Sequence, residues 1–406
     1  MRRMVWAALV GIVAAIHVAA AESPSSRPAI ARALTHTGFS HEAYIWQRQW
    51  SPRVAKSVRA TSDLFEGWRV LAAQVDGTGR VRPVRVDWAL LASTNKPVTV
   101  VVRVEAAITP QNRASIIGRL KQLSNQWAKA GVRLQGLEID NDCPVARLAD
   151  FAQFLADLKT QHGLPPLLSV TAIPAWLSAR ELDSVLAATD FIVLQVHGAK
   201  GPQHLFDADM AARWINTLAR RDTKPFRVAL PDYGTRIIHG ANGAILAAES
   251  ETPLLAGGGV EMMATPAEVQ ALLRTINRER PRGLTGFVWF RLPAEGDQRI
   301  WTISTLRAVI TGKPADARLE VQARSSRMRG LFDITLANDS DMDVEAPVRI
   351  ALPESCTAAD GINGYGLGLP GVTLQRIQKF LVHAHHERVV GWARCSKLPG
   401  AINVFR

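Results

Sequence analysis

Cysteine is scarce: Cys143, Cys356 and Cys395 are the three in a chain of 406 residues. That is too few for a disulfide scaffold, although export to an oxidising compartment would let Cys356 and Cys395 pair, with Cys143 as the odd one out. Glycine-rich phosphate loops and serine-centred nucleophile elbows are absent, so the sequence offers no support for cofactor-dependent redox chemistry and no cofactor is expected. His383, His385 and His386 have no matched acid or cysteine partner, and they read as surface residues rather than a metal cluster. Asp140 and Asp142 supply fewer oxygens than a hard cation usually takes, so no metal is expected either. Repeats and low-complexity tracts are also missing.

Long apolar runs are lacking too, except for one. Arg2 and Arg3 precede an apolar stretch from Val5 to Ala20, and Ala19-Ala20-Ala21 stands before Glu22. This is the charged, apolar and small-residue order of a secretory signal, so residues 1–21 are expected to be removed near Ala21 and the protein to be periplasmic or secreted. The stretch is also about the length that spans a bilayer, so a membrane partner is expected only if the signal stays uncleaved. No cysteine lies nearby to carry a lipid. The formal charge of +12 suits anionic polysaccharide, phospholipid headgroups or nucleic acid. Its Lys and Arg are scattered, however, with Arg324-Ser325-Ser326-Arg327-Met328-Arg329 the one tight cluster, read as a solvated loop. Nucleic acid is not an expected partner of an exported protein.

A chain of this length has room for a large core and a small one. After a linker at 22–40, short apolar runs alternate with amphipathic helical stretches through 41–312. Eight strands are expected: Ala43-Trp46, Val70-Val75, Val98-Val104, Gly136-Asp140, Leu167-Ala172, Phe191-Val196, Arg227-Leu230 and Gly286-Phe290. That number suits an α/β fold, a (β/α)₈ TIM barrel. Helical period is clear in Ile116, Ile117, Leu120, Leu123 and Trp127, and again in Leu148, Phe151, Phe154, Leu155 and Leu158. Thr265-Pro266-Ala267-Glu268 has the cap, first-turn proline and acidic first turn of a helix start. A long excursion between Tyr233 and Ala264, with Gly257-Gly258-Gly259, is placed to wall a cleft. From 313 to 406 short alternating segments separated by turn residues predict a small C-terminal β-sandwich domain.

The expected chemistry sits on the fourth barrel strand, Glu138-Ile139-Asp140-Asn141-Asp142. Alternation along a strand turns Glu138, Asp140 and Asp142 toward the barrel axis and Ile139 toward the helices. Burying three acids is costly unless they share protons, accept hydrogen bonds or meet a cation. Asp142 is nearest the carboxyl end, where such barrels place catalytic groups, and a like-charged neighbour about 6 to 7 Å away along the strand favours its protonated form. On this reading Asp142 is a general acid, Asp140 tunes it and Glu138 supports from below. The competing reading is structural: the acids bond to backbone or to a base such as Arg103 and organise the barrel.

Further candidates sit at strand ends. Gln195 and His197 are two apart and would face the mouth together, His197 binding or buttressing a sugar. Trp46, Trp176, Tyr233 and Trp289 fall at or just after strand ends, from which aromatic faces stack on sugar rings or simply pack the barrel. Arg103 and Arg291 are placed to bind an anionic sugar group or to neutralise the acids. Glu105 shares a strand face with Arg103 and is a possible internal partner for it.

Gln135-Gly136-Leu137-Glu138-Ile139-Asp140-Asn141-Asp142-Cys143-Pro144 resembles the fourth-strand motif of chitinase-type glycoside hydrolases, Asp-Gly-x-Asp-x-Asp-x-Glu, with Asp142 at the position of the catalytic Glu. Pro231-Asp232-Tyr233-Gly234 resembles that family's seventh-strand segment, and Gly286-Phe287-Val288-Trp289 its eighth. A closer resemblance is to an uncharacterised family of exported bacterial proteins, a domain of unknown function with a chitinase-like barrel. It is carried by Tyr44-Ile45-Trp46-Gln47-Arg48, Ile139 to Pro144, Leu168 to Leu177, Leu194-Gln195-Val196-His197-Gly198 and Trp289-Phe290-Arg291-Leu292-Pro293. It covers the barrel, leaves the C-terminal region unexplained, and implies a fold rather than a reaction.

Three departures from the chitinase pattern stand out. Asp142 is one methylene shorter than Glu, Gln135 and Glu138 replace Asp, and His197 stands near where chitinases keep a Tyr. The resemblance therefore does not by itself imply substrate-assisted cleavage. The expectation is an exported glycoside hydrolase-like protein acting on an envelope or extracellular polysaccharide or oligosaccharide. The alternative is a non-catalytic glycan-binding or envelope-assembly protein on a degenerate barrel.

Overall fold

The computed structural model describes residues 38–198, 205–221, 224–240, 245–250, 259–314, 317–369, 371–400 and 402–405. The expected signal, most of the linker that follows it, and Gly257 and Gly258 lie outside the described residues.

The strands follow in chain order. They begin with β1 (Ser40–Ile45), β2 (Gly67–Val75), a short β3 (Val81–Pro83), β4 (Pro97–Val104), β5 (Arg133–Asp140), β6 (Leu167–Ala172), β7 (Phe191–Gln195) and β8 (Phe226–Pro231). Next come β9 (Gly234–His239), β10 (Ile245–Glu249), β11 (Val260–Met263) and β12 (Leu284–Phe290). β1, β2, β4, β5, β6, β7, β8 and β12 pair in parallel, and the β1–β2 and β1–β12 pairings close the ring, giving the expected (β/α)₈ barrel. β3 folds back antiparallel on β2.

Parallel strands covered by helices read as continuous apolar runs because their outer face is buried as well. β4, Pro-Val-Thr-Val-Val-Val-Arg-Val, shows the rule. Val98, Val100 and Val102 join the large core beneath the helices, while Val101 points into the barrel with Tyr44, Val193, Ala229 and Val288. The helices anticipated from periodicity are Pro110–Ala128 and Leu148–Lys159, each burying the face read from the sequence. The helix Pro266–Glu279 starts as expected, with Thr265 and Glu268 forming a capping box. Among the described residues no helix is long and apolar enough to cross a membrane.

Below the apolar layer the barrel floor is ionic. Arg69 donates to Glu42 at 2.7 Å and also bonds Glu138, Arg227 reaches Glu42 at 3.1 Å, and Tyr44 Oη and Ser169 Oγ donate to Glu138 at 2.6 and 3.2 Å. Two guanidinium groups balance two carboxylates, so the buried layer is close to neutral. Removing one member would strand a charge, a change that typically costs about 3–5 kcal/mol.

The C-terminal region forms two four-stranded antiparallel sheets and a two-stranded ribbon. One sheet is ordered Glu320–Ser325, Leu331–Asn338, His386–Cys395, Cys356–Gly361; the other contains Tyr365–Gly368, Thr373–Arg376, Arg349–Ala351 and Asn403–Phe405. Ile334, Leu336 and Val390 from the first meet Ile350 and Leu374 from the second in a common core. Cys356 and Cys395 are disulfide-bonded. Asp343 joins this region to the barrel, accepting from the Thr302 N–H at 2.8 Å at the start of the helix Ile303–Ile310, and from Ala384 N–H at 2.9 Å.

Candidate functional site

The mouth of the barrel, at the carboxyl ends of its strands, opens into a cavity of about 650 Å³. Period-two alternation decides what reaches it. On β4 the inward series ends at Arg103, on β5 at Asp140, on β7 at Gln195 and on β12 at Phe290, and all four line the cavity.

One wall is charged. Arg103 donates through Nη1 to Asp140 at 2.9 Å and through Nη2 to Asp142 at 2.7 Å, so one guanidinium bridges both acids. Asp140 is buried, whereas the Asp142 side chain is 54% exposed, just past the strand end. Burial pushes the Asp140 carboxyl up to about 6; Asp142 adds to the rise and Arg103 opposes it. The sequence reading gave the retained proton to Asp142. The carboxyl that burial raises is Asp140, because desolvation acts on the deeper acid. Glu138 sits one layer lower, sealed within the ionic floor and absent from the cavity wall, so it supports the strand from below. Glu105, exposed at the rim, does not take Arg103.

The other wall is aromatic. Phe290 packs edge-on against Trp46 with ring centroids 5.2 Å apart and against Tyr233 at 5.4 Å, and His197 lies 5.6 Å from Phe290. Tyr233 Oη and His197 Nδ1 are 3.3 Å apart. Burial holds the His197 imidazole down to about 3, so at neutral pH it is uncharged and acts as a hydrogen-bonding group rather than a cation. Its Nε2 is buried and has no partner among the described residues. Gln195 Nε2 donates to the His197 carbonyl at 3.0 Å and fixes the turn.

Two expected tryptophans do not reach the cleft. Trp176 is fully buried against Phe151, and its Nε1 donates to the Cys143 carbonyl at 2.7 Å, so it anchors the loop carrying Asp142 instead of stacking on a ligand. Trp289 is fully buried on the outer face of β12, beside Trp301, with Nε1 donating to His41 Nδ1 at 3.0 Å. Alternation turns its neighbour Phe290 inward. Phe290 is one site residue that sequence reasoning missed, as it did Arg48, which also lines the cavity; inward-facing Val288 two positions earlier was the signal for Phe290. Arg291 lines the cavity, but it donates to Asp297 at 2.6 Å and to the Ser250 carbonyl at 2.7 Å, bracing the wall.

That wall comes from the excursion after β8. β9, β10 and β11 form an antiparallel sheet whose Glu249 and Ser250 face the cavity, as expected of the insertion. Arg236 holds the buried Glu249 at 2.9 Å. Cys143 is buried, and burial raises its thiol to about 11, which keeps it inert at neutral pH. Among the described residues no group of three or more His, Cys, Asp or Glu side chains is arranged to hold a metal ion. His383 faces Asp343 and His385 faces Asp341. A second cavity of about 240 Å³, beside Thr265, Met342 and Val348, contains none of the expected site residues.

Residues 94–295 match the family model described as Domain of unknown function (DUF3142), and residues 321–396 match Domain of unknown function (DUF8456). No curated protein matches the chain. Solved structures similar to it are chitinase-like TIM barrels. The spore cortex-lytic enzyme SleL of Bacillus megaterium is 11% identical, with 63% of this chain and 71% of that one covered and a TM-score of 0.47. A chitinase from Chromobacterium violaceum is 13% identical over 64% and 96%, with a TM-score of 0.46. A glycoside hydrolase family 18 N-acetylglucosaminidase from Paenibacillus barengoltzii is 11% identical over 68% and 100%, also at 0.46.

Proposed function

We propose that this barrel, which matches the DUF3142 family through residues 94–295, is an exported glycoside hydrolase acting on an envelope or extracellular polysaccharide. The observation that carries the reading is the pair Asp140 and Asp142. These two carboxyl groups are bridged by one arginine, one buried with its pKa near 6 and the other half-exposed in an open cleft with an aromatic wall. Two acids whose environments differ are able to take different roles in acid–base chemistry. Asp142, at the mouth, is the carboxyl placed to face the glycosidic oxygen, and it acts as general acid once it has left Arg103 and taken up a proton. Asp140, buried below it with a pKa near 6, shares Arg103 with it and takes up a proton only as pH falls through 6. Trp46 and Phe290 give sugar rings a face to lie on, and neutral His197 lines the cavity beside them. Export is supported by the signal-like leader and by the Cys356–Cys395 disulfide, a bond that persists in oxidising compartments. The test is a glycan panel incubated with wild type and Asp142→Asn. Cleavage by wild type, reduced about 100-fold or more in the variant, is expected. Equal cleavage by both, or none by either, would count against the enzyme.

One observation favours a second reading. Arg103 engages both acids at 2.9 and 2.7 Å, as a purely structural clamp would. A non-catalytic glycan-binding protein would show calorimetric binding that survives Asp142→Ala, with no product released.

A further inference from the structure

The charged wall holds a feature that the hydrolysis does not use. Arg48, just past the end of β1, is exposed and donates through Nε to Gln74 Oε1 at 3.1 Å; among the described residues it makes no ion pair. Gln74 on β2 is the register partner of Arg103 on β4. Arg48 thus reaches a residue of the strand beside that of Arg103, and both arginines line the cavity. Arg103 already presents two nitrogens to carboxylate oxygens, and the outer of these, on Asp142, belongs to a side chain that is 54% exposed.

From this we infer that the β1–β2–β4 side of the cleft binds the carboxylate of an acidic sugar residue, clamped between Arg48 and Arg103, and that the incoming carboxylate displaces Asp142 from Arg103. The inference deepens the proposed function and rests on its assignment of the cleft to glycan. A planar guanidinium presents its N–H groups in carboxylate geometry; in the free protein Arg103 gives Nη1 to Asp140 and Nη2 to Asp142, and displacing Asp142 frees Nη2 for the incoming carboxylate. A phosphorylated sugar also carries oxyanions that two arginines attract, so the corresponding sugar phosphate is an arm of the test. The exchange has a chemical consequence. Asp142 leaves its ion pair as the substrate arrives, and its carboxyl becomes available at the point where a glycosidic oxygen would lie.

The test is calorimetry on the full protein with matched pairs that differ only in charge. One pair is tetragalacturonate and its methyl ester; the other is a muramic acid disaccharide and its carboxyl-reduced form. The expected result is at least one acid form bound about tenfold or more tighter than its neutral partner at low salt, with the gap narrowing as salt rises. Arg48→Gln, an exposed substitution that the fold tolerates, is expected to shrink that gap several-fold. Arg103→Lys keeps the charge but loses the fork, and is expected to shrink it as well. Equal affinity within both pairs, no binding of either acid form, a gap untouched by Arg48→Gln, or tighter binding of the corresponding sugar phosphate would each overturn the inference. The readout is binding alone, so the two readings fail separately. A preference for the acid form without released product defeats the hydrolase and leaves the subsite standing, whereas cleavage of neutral glycans with no acid preference does the reverse.

Discussion

At the residue scale, the carboxylate strand divides three similar acids among three environments. Glu138 is matched to Arg69 in the floor, Asp140 is buried beneath Arg103, and Asp142 is at the surface. Alternation made their common direction legible in the sequence. Their depths were not legible, because depth depends on how the neighbouring strands are staggered. The pH behaviour follows from depth. Asp140 has its folded pKa raised to about 6 from 3.8, so the folded state binds the extra proton in that window. Stability from this group is present below pH 4 and is lost as pH rises through 6. Asp140→Asn is expected to flatten that limb and to recover roughly 1–3 kcal/mol near pH 7, as measured by urea melts at pH 4, 6 and 7.5. An unchanged pH slope would show that Asp140 titrates normally. His197, with its pKa depressed to about 3, contributes in the opposite direction, favouring the fold above pH 6.5 and opposing it as pH falls.

At the scale of elements, strands place side chains and loops hold them. Asp142 lies beyond the last paired residue of β5, and its loop is tied by Cys143 N–H donating to the Asn141 carbonyl at 2.7 Å and by Trp176. A tryptophan at a strand end reads from sequence as a stacking platform, and the tertiary partner that made it an anchor, a carbonyl 33 residues earlier, leaves no local trace. Trp176→Phe leaves that buried carbonyl unpaired at a cost of about 1–3 kcal/mol. It is expected to lower the melting temperature and to weaken glycan cleavage several-fold without touching the cleft lining. Wild-type activity alongside wild-type stability would remove Trp176 from this role. Trp289 shows the same lesson from the other side. Counting alternation from Val288 would have chosen Phe290.

At the scale of the whole molecule, the barrel and the sandwich have separate cores, joined where Met342 and Leu381 pack on the barrel cluster and Asp343 accepts from Thr302, the N-cap of its last helix. The disulfide closes a loop between residues 39 apart within the sandwich. Replacing Cys356 and Cys395 with serine together is therefore expected to cost about 2–4 kcal/mol. In scanning calorimetry the sandwich transition should move while the barrel transition stays. A single transition shifting as one would show that the two cores melt together. By itself the sequence determined the parallel barrel, its eight strands, the amphipathic helices and the strand that carries the acids. Each of these follows from periodicity and from turn and cap residues, which act over a few positions. Tertiary structure alone decided which acid burial raises, that one arginine bridges two of them, that two tryptophans are anchors, and that Arg48 and Arg103 line one cavity. Burial and charge pairing depend on residues brought together from distant strands, and no local pattern encodes them.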